Sequence, residues 1–207
     1  MELIDVVFLI AVIVMSAVIH EVMHGVAANS LGDPTARLQG RLTLNPIPHL
    51  DMFGSVLLPA VLVLTNSPLF LAWAKPVPYN PYNLRPGRFS EAIVAGAGPA
   101  SNIAIALVAG LFIRFGSIGA MESVVFLIVT VNVMLAIFNM IPIPPLDGSK
   151  VLEAFLPSSL QYGYAAWRAR MEMNPFLGMG VILVFILVFG SAFGSLVYGI
   201  ARAIVGM

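Results

Sequence analysis

The chain has 207 residues, 59% of them hydrophobic and 10% charged, with no net charge and no cysteine. A soluble domain carries about 25% charged residues, so this composition belongs to the membrane class. Neutrality removes the electrostatic case for nucleic acid, and the lack of cysteine excludes a disulfide framework and a thiolate metal site.

The first apolar stretch covers residues 3–31. Glu2 and Asp5 stand where a secretory leader would carry basic residues, so it reads as a retained span and not a cleaved signal. Within it lies His20-Glu21-Val22-Met23-His24. Positions i and i+4 share one face of a helix, so both imidazoles can reach one metal, with Glu21 beside them to take a proton from water. A polar cluster that merely ties helices together is the competing reading. Ionisable side chains inside a span are costly, however, and functional by default.

Residues 53–73 form another apolar stretch, broken by Pro59 and by Thr65-Asn66-Ser67-Pro68. Its helical part, 53–64, would rise about 18 Å, short of a hydrocarbon core about 30 Å thick. A re-entrant segment is expected there. Ala74-Lys75-Pro76-Val77-Pro78-Tyr79-Asn80 follows, and its prolines favour an extended strand. Pro76 and Pro78 leave one edge without donors, while Val77 and Tyr79 can donate from the other. That edge could pair with a substrate, or the segment could be a stiff spacer.

Further spans are expected at 89–115, 123–141 and 176–205, each long enough to cross a bilayer. Asn132, Ala136 and Asn139 form one polar stripe on the 123–141 span. The segment 149–174 carries Tyr162, Tyr164, Trp167, Arg168 and Arg170, a composition suited to the membrane surface. Gly190 and Gly194 suggest close helix packing in the last span.

A catalytic zinc takes three protein ligands and keeps one open position. Candidates for the third are His49, Asp51, Asp147 and Glu153. Asp147 stands out, because Pro142, Pro144 and Pro145 leave irregular backbone before it. Such backbone at membrane depth must be buried or line a wet cavity. An Asp that only caps the next helix is the plainer alternative. His49 could bind metal transiently, orient a ligand or gate the entrance, although a lone His in a Pro-rich loop is more often structural.

The His-Glu-x-x-His on a helix, the Gly-x-x-x-Asn ending at Asn102 and the run from Asn139 to Gly148 resemble the site-2 protease family of intramembrane zinc metalloproteases. Leu44-Asn45-Pro46-Ile47-Pro48-His49-Leu50-Asp51 and residues 73–80 resemble its compact prokaryotic subgroup without a PDZ domain. The resemblance implies one zinc per chain on His20, His24 and Asp147, with Glu21 as the base. It also implies active-site support from Asn102 and a membrane-dipping β-hairpin near residues 73–80. The 53–73 stretch and Met52-Phe53 depart from the family's usual pattern.

The expected fold is an all-α polytopic membrane protein, a single domain over 1–207. It would have about four spanning helices and a re-entrant segment bearing a short β-hairpin or extended strand. The expected function is hydrolysis of transmembrane protein substrates among membrane lipids, with Asn139, Val77, Tyr79 and His49 as supporting residues. A metal-ion transporter and an inactive membrane scaffold are the other classes. With the N-terminus outside and 53–73 re-entrant, eight of the ten Lys and Arg fall on the inner side. Only Arg114 and Arg202 fall outside, which places the active site of this cell-membrane protein towards the cytoplasm.

Overall fold

The computed structural model describes residues 3–57, 61, 74–116 and 118–207. Its contacts group the chain into two units, Met1–Leu84 and Arg85–Met207.

The first unit begins with α1, Leu3–Ser30, a long helix in keeping with its run of apolar residues. It stops where Gly32 turns left-handed at φ 108° and Pro34 follows, since neither residue suits a continuing helix. A four-residue helix, α2 (Thr35–Leu38), comes next. A 3₁₀ turn at Ile47–His49 and a π-helical segment at Met52–Leu57 lie beyond it. Asp51 caps that segment, because its Oδ1 accepts from Gly54 N–H at 2.6 Å. The re-entrant reading concerns 53–73, most of which lies outside the described residues.

Among the described residues there is no β-strand, so the expected hairpin is not found. Residues 74–80 are coil, joined to neighbouring backbone by a bond from Lys75 N–H to His49 O at 2.8 Å. The prolines explain this. Pro76 and Pro78 interrupt the donors that a ladder needs, and side chains take up the segment's backbone groups instead.

The second unit holds α3 (Ser90–Phe115), α4 (Glu122–Asn139), α5 (Asp147–Phe155), α6 (Ser158–Met173) and α7 (Pro175–Val205). Ala106 of α3, Val129 and Val133 of α4, and Val197, Ala201 and Val205 of α7 form its core. Lipid is as apolar as these side chains, so close packing holds the helices together more than water exclusion does. Gly110 shows how close: a Cβ there would overlap Ile204 of α7. Among the described residues the anticipated close packing at Gly190 and Gly194 is not made, since a Cβ on Gly194 would meet none of them.

Four helices among the described residues are long and apolar enough to cross a membrane. They start and stop within a few residues of the expected spans. Large apolar side chains on α7, such as Phe176 and Leu187, point outward, as they would towards lipid. The pair α5–α6 is held by Arg168, whose guanidinium meets Glu153 at 2.7 Å, Glu172 at 3.0 Å and Glu91 of α3 at 3.5 Å. Burial opposes the charge on Arg168, but the three carboxylates outweigh it and raise its pKa. Arg88 donates to the Ala154 and Leu156 carbonyls and so caps the end of α5.

Candidate metal centre

In the first unit, His20 and His24 lie one turn apart on α1, both buried. Their rings meet edge to face with centroids 4.7 Å apart. Glu21, beside them, accepts a hydrogen bond at Oε2 from the Val77 N–H at 2.8 Å. Gly25 makes this approach possible. A Cβ there would press on Leu42 at 2.6 Å, Val77 at 2.9 Å and Ala36 at 3.0 Å. Sequence reasoning passed over Gly25, although a glycine directly after the second His was the available signal.

The segment bearing Val77 is fastened on both sides. Arg41 donates from Nη2 to the Lys75 and Pro76 carbonyls at 2.9 and 3.2 Å. Asp33 accepts from Asn80 N–H at 2.7 Å, Asn83 Nδ2 at 2.9 Å and Thr35 Oγ1 at 2.5 Å. Burial disfavours the Asp33 charge, but these donors outweigh it and hold the carboxyl below its ordinary value of 3.8. A depressed folded pKa gives stability that is complete above the unfolded value and lost as pH falls through the folded one. Asp33→Asn is therefore expected to lower Tm at neutral pH and to flatten the loss of stability below about pH 4. Thermal unfolding of both proteins at neutral and acid pH checks this, and parallel pH curves would contradict it.

In the second unit, α5 starts at Asp147, directly after Pro142-Ile143-Pro144-Pro145-Leu146, with the Pro144–Pro145 bond cis. The N-cap is Leu146 and makes no side-chain cap, so Asp147 sits inside the first turn and not in the capping position. Gly148 fixes this placement, because a Cβ there would overlap the Met140 carbonyl and press on Ile141 O at 2.7 Å. A cavity of about 610 Å³, lined by Ala136, Met140, Val151 and other apolar residues of α3–α5, lies beside the turn. Asn102 is fully buried on α3 and donates to Asn132 Oδ1 on α4 at 2.8 Å. Asn139 turns back on its own helix, donating to Leu135 O at 2.9 Å.

The other candidates for a third ligand have structural duties. His49 is 1% exposed and its Nε2 lies 3.0 Å from Thr43 O. Asp51 caps its helix, and Glu153 binds Arg168. Two imidazoles and a carboxylate are a donor set that zinc accepts.

The sequence pattern described as peptidase family M50 matches residues 115–167, which include Asp147 and exclude the His20–His24 motif. The candidate zinc metalloprotease YwhC of Bacillus subtilis is 33% identical over 200 residues, covering 92% of this chain and 83% of the relative. The candidate zinc metalloprotease Rip2 of Mycolicibacterium smegmatis is 30% identical over 154 residues, covering 73% of this chain and 58% of the relative. No solved structure matches.

Proposed function

Because the chain belongs to peptidase family M50, the site-2 protease family, and is a zinc metallopeptidase, we propose that it hydrolyses peptide bonds of transmembrane proteins within or at the edge of the bilayer. In this reading the two units act as one protease domain. One zinc is held by His20, His24 and Asp147, a group that could hold a metal ion. The observation that carries the reading is the pair of buried imidazoles one turn apart, with Glu21 beside them in the chain, on a helix apolar enough to span a membrane.

Zinc, when bound, supplies a Lewis acid that polarises a carbonyl and makes water more acidic. Glu21 takes the proton of the attacking water and returns it to the leaving amine. A helical substrate must first unwind, since its backbone is internally bonded. Residues 74–80, with Tyr79, offer it an extended neighbour. Asn102 and Asn139 support the region around Asp147. The charge asymmetry of the loops favours a multi-pass cell-membrane protein with its N-terminus outside and the site towards the cytoplasm. Membership in a peptidase family leaves the transporter and scaffold alternatives without support.

The test is purified protein reconstituted in liposomes with a panel of single-span proteins. Cleavage inside or beside the span, mapped by mass spectrometry and stopped by a zinc chelator, is expected. Cleavage confined to soluble unfolded chains would contradict the intramembrane reading.

A further inference from the structure

We infer that the backbone N–H of Val77 is a positioning donor for the Glu21 carboxylate, held in place by Asp33 and Arg41. The inference rests on Glu21 being the base proposed above.

A carboxylate has two oxygens, and a general base needs one of them directed at the proton it takes. The Val77 N–H binds Oε2 at 2.8 Å. That charge-assisted bond fixes the rotation of the group and leaves Oε1 for the proton. Val77 is 5% exposed, so water competes little for the bond.

The sequence around this donor allows no substitute. Pro76 and Pro78 flank Val77 and carry no N–H. A slip of the segment by one residue in either direction would set a proline against Glu21. Register therefore has to be held, and the ties on both sides of Val77 hold it. Before it, Lys75 N–H binds His49 O at 2.8 Å, and Arg41 binds the Lys75 and Pro76 carbonyls. After it, Asn80 N–H binds Asp33. Arg41 is 7% exposed, and among the described residues it pairs with no carboxylate. A buried guanidinium with no acid is costly, and its role here is to grip those two carbonyls. Substrate pairing through the Val77 N–H and orientation of Glu21 by the same N–H exclude one another. The geometry gives this donor to the base.

The first arm of the test needs no zinc and no activity. Amide hydrogen exchange is followed residue by residue in metal-stripped wild type and in Glu21→Ala. The prolines leave few amides in the segment, so Val77 can be resolved, with Lys75 and Asn80 as internal references. Val77 is expected to exchange about tenfold faster or more in Glu21→Ala, while Lys75 and Asn80 keep their protection. Unchanged exchange at Val77 would overturn the inference, and so would equal loss of protection at all three.

The second arm compares zinc-loaded wild type with Arg41→Ala and Arg41→Lys. Arg41→Ala is expected to lower kcat about tenfold or more, with KM, zinc content and folded fraction unchanged, and Arg41→Lys to recover part of the loss. A loss that only tracks zinc content or folded fraction would make the grip merely structural and overturn the positioning role. If wild type cleaves nothing, the protease reading fails and the exchange arm still decides whether Val77 holds Glu21.

Discussion

Glu21→Gln is expected to abolish cleavage while zinc content and fold stay as in wild type. The substitution keeps the size of the side chain and an amide oxygen that can still accept from the Val77 N–H. It removes only the group able to take a proton at neutral pH. General-base catalysis contributes about 10²–10⁴-fold, so purified Glu21→Gln should fall to the background of the assay. Metal analysis and thermal unfolding on the same sample separate this from misfolding. Near-normal cleavage by Glu21→Gln would remove Glu21 from the mechanism.

Asp147→Ala is expected to lose zinc during mild chelation that leaves His49→Ala loaded. His49 is tied to Thr43 within its own loop, so its loss disturbs packing and not the donor set. Asp147 opens α5 at a place that Gly148 and the prolines define. Residues that only support a ligand affect metal affinity about 10–100-fold, and loss of a ligand should exceed that. Zinc per chain, measured after dialysis against graded chelator, reports the difference. The reverse order, with His49→Ala empty and Asp147→Ala loaded, would replace the proposed third ligand.

The spanning helices were legible because each is a long apolar run bounded by proline, glycine or charge. The imidazole pair was legible because i, i+4 spacing fixes a shared face whatever surrounds the helix. Residues 74–80 were harder. The prolines suggested an extended strand, but no strand forms among the described residues, and proline pattern alone does not say whether strands or side chains take up the backbone groups. Here Arg41, Glu21 and Asp33 do so. Arg41 and Asp33 gave no sign of this in the sequence, where single charges in a loop look like solvated ones. The spacing of Asn132, Ala136 and Asn139 puts them on one face, and Asn139 was the one expected to support the site. In the fold Asn132 is the one that reaches another helix, through Asn102, and Asn139 bonds within its own turn. Spacing gives the face of a helix but not which neighbour lies over each level of it. Gly190 and Gly194 had suitable spacing for close packing, yet the close crossing is at Gly110, set by where α7 meets α3.

The central claim is that His20, His24 and Asp147 share one zinc. The absence of native cysteine allows a direct measurement, because a thiolate bound to the metal at about 2.3 Å must come from an introduced residue. Zinc X-ray absorption spectra of purified Asp147→Cys and His49→Cys would be compared with wild type. The account predicts a sulfur neighbour to zinc in Asp147→Cys and none in His49→Cys or wild type. Sulfur at the metal in His49→Cys, with none in Asp147→Cys, would contradict it.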